Sequence, residues 1–117
     1  MINKDRKRER FLRDPLPVRL AGIAADLARV ASSARSPSGG ESVLEMLEES
    51  QYFIEWTAAE ADLEVAAELV DIQRGIAAWR RAWQEACQIP SIRNILSITA
   101  RKWSDQILSI SGLLNKP

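Results

Sequence analysis

Histidine is missing from all 117 residues, cysteine occurs once, at Cys87, and glycine and proline occur only five times each. Without an imidazole the chain lacks the commonest general base near neutral pH and the commonest transition-metal ligand. A single thiol excludes an intramolecular disulfide and the cysteine spacings of zinc sites. Lysine is scarce as well, at Lys4, Lys7, Lys102 and Lys116. No apolar run approaches the ~20 residues that span a bilayer. The N-terminal MINKDRKRERFLRD is charged where a signal peptide needs an apolar core. These absences predict a cytoplasmic protein that is not an enzyme and holds no metal or cofactor.

What is present points to a folded, all-α chain. Hydrophobic residues make up 46% and charged residues 27%, a globular composition. No segment alternates with the period of two that marks a strand. Residues 1 to 13 read as a charged, flexible arm, and residues 14 to 117 as one helical domain. Asp14-Pro15 offers an N-cap followed by proline at the first helical position, so a first helix is expected over residues 15–33. Leu16, Leu20, Ile23, Leu27 and Val30 form its apolar stripe, and Ala21, Gly22, Ala24, Ala25 and Ala28 let a neighbour approach closely.

SSARSPSGG, residues 32–40, has the composition of a loop. A second helix is expected over residues 42–56, with Val43, Leu47 and Ile54 on one side and Met46, Phe53 and Trp56 beside them. Thr57 and Glu60 match a capping box, which predicts a boundary at Thr57 and a third helix over 58–87. Its seam is Val65, Leu69, Ile72, Ile76, Trp79, Trp83 and Ala86, with steps of four and three. The stretch IAAWRRAW, residues 76–83, therefore reads as core rather than as a basic-aromatic recognition surface. Ile89-Pro90-Ser91 breaks the chain, with Ser91 as a cap, and a fourth helix is expected over 91–111. Its inner face is Ile92, Leu96, Thr99, Trp103, Ile107 and Ile110, and Gly112 ends it. Short connections favour an antiparallel up-down four-helix bundle with a charged N-terminal arm. A 30-residue third helix would outreach its neighbours, so a homodimer is one way to cover its seam.

Charge is zero overall but segregated. Residues 1–35 hold nine Lys/Arg and four Asp/Glu, residues 36–73 hold ten acids and no base, and residues 74–117 hold seven bases and two acids. Acidic helices packed on basic neighbours would produce this pattern. The functional alternative is an acidic face of Glu45, Glu48, Glu49, Glu55, Glu60, Glu64 and Glu68 that steers a basic protein partner. Glu60, Glu64 and Glu68 are spaced by four, but bundle di-iron sites need histidine as well. The arm residues Lys4, Arg6, Lys7, Arg8, Arg10 and Arg13 could contact phosphates or an anionic surface. Asp5, Glu9 and Asp14 dilute them, and nucleic-acid binding rests on the arm alone.

Cys87 reads as a structural thiol, because no base is at hand to activate it. Gly75, inside a helix, marks either a close contact or a flexible point. Three strings, Asp14-Pro15-Leu16-Pro17-Val18-Arg19-Leu20, Phe53-Ile54-Glu55-Trp56-Thr57 and Ser111-Gly112-Leu113-Leu114, resemble a family of small all-helical proteins found in cyanobacteria. The likeness runs from about Arg13 to the C-terminus, implies an all-helical fold, and supplies no catalytic or binding residue. The reading as a whole is a non-enzymatic protein-protein interaction module, an adaptor or assembly factor. Binding of nucleic acid or an anionic surface through the arm is the alternative.

Overall fold

The computed structural model describes residues 4–113. The first three residues of the expected arm, and residues 114–117 of the expected domain, lie outside them. Five helices follow one another: α1 Lys4–Leu12, α2 Leu16–Ala34, α3 Gly40–Ala58, α4 Leu63–Ala86 and α5 Pro90–Ser111. The fold is all-α, with no strand among the described residues.

Two features of the sequence reading are corrected. The arm, expected to be flexible, is helical over most of its length: KDRKRERFL forms a nine-residue helix, so the described residues hold five helices rather than four. Lys, Arg, Glu and Leu, which make up most of the segment, are good helix formers, and Phe11 gives it an apolar anchor. The Thr57–Glu60 capping box does not form either. Thr57 lies fully buried inside the last turn of α3 with its hydroxyl unbonded, and Glu60 pairs with Arg19 instead. The break falls at residues 59–62, and α4 opens after Asp62, whose carbonyl accepts from Ala66 N–H at 2.8 Å. Residues 42–87 are therefore two helices. α4 has 24 residues, about 36 Å, against about 29 Å for the 19-residue α2 and α3. The length mismatch that motivated a dimer shrinks to about 8 Å.

Helix starts differ in detail from expectation. Asp14 does not cap α2: the chain enters through Pro15, whose carbonyl accepts from Val18 and Arg19 N–H. At α5 the first residue is Pro90, and Ile89, not Ser91, holds the cap position. Gly112 ends α5 in the left-handed region at φ 79°, as expected of a glycine there.

The core joins Ile23, Leu27 and Val30 of α2, Val43, Leu47 and Ile54 of α3, Leu69, Ile76 and Trp83 of α4, and Leu96 and Ile107 of α5. α2 is the central element, packing extensively on α5 and on α3, while α3 packs on α4. Contact between α4 and α5 is sparse. On α5 the deeply buried side is Leu96, Ser97, Ala100, Ser104, Ile107 and Ser111, whereas Ile92, Thr99, Trp103 and Ile110 are only half-buried. Ser97 donates to the Ala31 carbonyl at 2.6 Å and Ser104 to the Ala24 carbonyl at 2.7 Å. Seven residues separate both the donors and the acceptors, so two hydrogen bonds in the same register clamp α5 to α2. Small side chains on both helices permit that approach.

IAAWRRAW divides. Trp83 is 2% exposed and its Nε1 donates to the Gly40 carbonyl at 2.7 Å. Trp79 is half-buried and lines an apolar depression of about 300 Å³ with Ala78, Ala82, Ala86 and Ile92. Gly75 marks a close contact: a Cβ there would lie 2.6 Å from the Trp103 ring.

Candidate functional site

The basic arm and the acidic third helix, distant in sequence, meet side by side. On α1, Lys4, Lys7 and Phe11 recur at steps of three and four and so share one face. On α3, Glu49, Tyr52, Phe53 and Trp56 do the same. Lys7 Nζ lies 3.1 Å from Glu49 Oε1. Lys4 Nζ stands 4.6 Å from the centre of the Tyr52 ring. Hydrogen bonding to Tyr52, with attraction from Tyr52, Glu48 and Glu55, raises the Lys4 pKa above its ordinary value. Phe11 stacks parallel on Phe53 at 4.1 Å, and Trp56 tilts against both rings at 6.0 and 5.8 Å.

Beside this seam sits Asp26 of α2, 3% exposed. One carboxylate oxygen pairs with Arg29, while Oδ2 is buried without a partner. Loss of solvation, reinforced by Glu49 and opposed by Arg29 and Lys7, pushes its carboxyl up to about 6. A buried carboxylate with one unbonded oxygen is destabilising when charged.

α1 is the most weakly attached helix. It contains no fully buried residue and its main contact is α3. Partly exposed ion pairs contribute ~0–1 kcal/mol each, and a stacked aromatic pair adds about 0.5–1.5 kcal/mol beyond its buried area. Ordering a residue costs about 1–2 kcal/mol of backbone entropy, and an isolated helix this short is unstable in water.

The seven glutamates of the expected acidic face are spread over three segments, and several are engaged by basic or amide side chains. Glu45, Glu48, Glu49 and Glu55 lie on α3, Glu60 in the following link, and Glu64 and Glu68 on α4. Glu48 pairs with Arg80 at 3.6 Å, and Arg80 also donates to Gln51. Glu60 receives a two-point contact at 3.2 and 3.3 Å from Arg19, which is 7% exposed and also donates to the Asp14 carbonyl. Glu68 accepts from Gln106 at 3.2 Å. Glu45, Glu55 and Glu64 are exposed and form no ion pair among the described residues. Because Glu60 is outside α4, the supposed ladder of Glu60, Glu64 and Glu68 is not on one helix, and among the described residues no three metal-ligating side chains converge.

Of the arm cations, Arg6, Arg8, Arg10 and Arg13 are exposed. Cys87 is half-buried, its Sγ 3.4 Å from the Gln84 carbonyl. A second cationic region lies elsewhere: Arg35 at the end of α2 faces Ile98, Arg101 and Lys102 of α5 around a depression of about 260 Å³. None of these three cations has a carboxylate within ion-pair distance among the described residues.

Sequence reasoning missed Phe11, Asp26 and this α5 surface. Asp26 was detectable as a carboxylate one place from the Ile23, Leu27, Val30 stripe. Phe11 was detectable as the arm's lone aromatic, in step with Lys4 and Lys7. No protein-family model, curated protein or solved structure matches the chain.

Proposed function

We propose that this chain is a non-enzymatic helical interaction module, an adaptor or assembly factor, acting in the cytoplasm. The observation that carries this reading is the outer side of α5. Ile95 and Ile98 are 50% and 53% exposed, next to Arg101, Lys102 and Arg35, cations with no carboxylate within ion-pair distance among the described residues. Apolar side chains rimmed by cations of one sign suit a protein partner that presents an apolar and acidic surface. Elsewhere the chain pairs Lys7, Arg19, Arg29, Arg74 and Arg80 with carboxylates; on this face the cations border exposed isoleucines instead.

The antiparallel up-down arrangement of α2 to α5 belongs to the same proposal. It is supported by contacts that climb one helix as they descend the next, such as Trp83 with Gly40, Arg80 with Glu48 and Gln73 with Gln51. The test is affinity capture from nuclease-treated lysate with the full chain and with an Ile98→Asp, Lys102→Glu variant of unchanged helical circular dichroism. A defined protein held by the first and lost by the second is the expected result. The same proteins on both would remove α5 from the reading.

The alternative, an anion-binding arm, keeps one specific support: Arg8, Arg10 and Arg13 are exposed and without ion pairs among the described residues. Retention of nucleic acid that disappears with Arg10→Ala, Arg13→Ala would favour it.

A further inference from the structure

We infer that the face of α3 beneath α1 is a second binding site, one that takes a basic helix with an aromatic anchor, and that α1 is its resident competitor. This surface is distinct from α5 and does not depend on the reading above. The chemistry of the ligand is written in the seated segment. A lysine meets Glu49 at 3.1 Å, a second cation lies over the Tyr52 ring, and one phenyl ring stacks on Phe53 at 4.1 Å with Trp56 alongside. Lifting α1 away uncovers three aromatic side chains of α3 together with Glu49, an apolar strip carrying negative charge. Cations at the spacing of Lys4 and Lys7, followed one turn later by an aromatic, complement that strip.

α1 is also built to leave. It has no fully buried residue and joins α2 through the short link Arg13-Asp14-Pro15. Its tether presents it at an effective concentration in the millimolar range, so an outside helix succeeds either by binding more tightly or when α1 is released. Glu49, Lys7 and Arg29 surround the buried Asp26 at this junction, and the attachment should weaken with salt because its ion pairs are partly exposed.

The experiment uses the full chain, a released variant carrying Lys7→Glu and Phe11→Ala, and a peptide of residues 4–14 as probe. Titration is followed by backbone amide shifts at low salt up to millimolar peptide. The released variant should bind the peptide at least tenfold more tightly than the unaltered chain, with shifts centred on residues 49–56. A Phe11→Ala peptide, or an added Phe53→Ala in the variant, should abolish binding. Amides of α1 in the unaltered chain should exchange much faster than those of α2. Equal binding by both chains, binding that survives loss of Phe53, or exchange in α1 as slow as in α2 would overturn the inference. So would a released variant, folded by circular dichroism, that binds no peptide. Dimerisation of the unaltered chain by exchange of α1 would overturn it too, by making a second copy the occupant.

Discussion

Towards α2, helix α5 presents Ser97, Ala100 and Ser104, and the backbones come close enough for two serine hydroxyls to reach carbonyls of the other helix. Towards α4 it presents Trp103, whose ring lies on Gly75, and half-buried Ile92 below Trp79, and contact is sparse. Small side chains bring helix axes together and exclude water. Large rings between helices touch at few points and leave a depression. A helix can thus be anchored on one flank and open on the other, and the residues that anchor it need not be its most hydrophobic ones.

Substitutions on the two kinds of flank should differ in size. The largest effect is expected at Trp83, which is buried and hydrogen-bonded to Gly40: Trp83→Ala should lower unfolding free energy by about 3–5 kcal/mol in urea titration. Next comes Ala100→Leu, which forces three further carbon atoms into the extensive contact between α2 and α5. About 2–3 kcal/mol should be lost, and a loss under about 0.5 kcal/mol would show that α2 and α5 are less tightly apposed than their hydrogen bonds indicate.

Asp26 probes the loosely held α1 side. Its carboxyl titrates near 6 in the folded chain and near 3.9 when unfolded, so the folded state binds the proton more tightly. This contribution is therefore complete below about pH 4, declines as pH rises to about 6, and is absent above that, for a total of up to about 3 kcal/mol. Asp26→Asn should remove the decline and be more stable than the unaltered chain at pH 7 by about 1–3 kcal/mol. Denaturant melts of both chains at pH 5 and pH 7 give the answer. The smallest effect belongs to Trp79, which is only partly buried: Trp79→Ala should cost about 1–2 kcal/mol, well below Trp83→Ala. Equal losses at the two tryptophans would mean that the α4–α5 flank is closed.

Much of the fold was legible from apolar spacing. Most of the stripes of α2, α3 and α4 are buried where the steps of three and four put them, with Leu16, Val65 and Trp79 only partly covered, and Gly112 terminates α5. The inner side of α5 was misjudged because burial was assigned by hydrophobicity. Ser97, Ala100, Ser104, Ile107 and Ser111 keep the same steps of three and four, and the serine hydroxyls are compatible with burial once they find carbonyl acceptors. Thr57 misled for a related reason, since a capping motif describes a local preference and packing in the last turn of α3 outweighed it.

The candidate site was half-visible. Charge segregation announced that residues 1–35 and 36–73 are complementary, and Lys7 with Glu49 realises it, but the sequence carried no sign of which lysine meets which glutamate. Helical periodicity and chain breaks depend on neighbours a few residues away, so the sequence by itself determined an all-α chain, its apolar stripes and its charge pattern. Which flank of α5 closes, where Asp26 loses its water, and that the arm folds back onto Phe53 depend on contacts between residues tens of positions apart. Only the tertiary structure decided those, because desolvation and stacking exist only once distant segments are brought together.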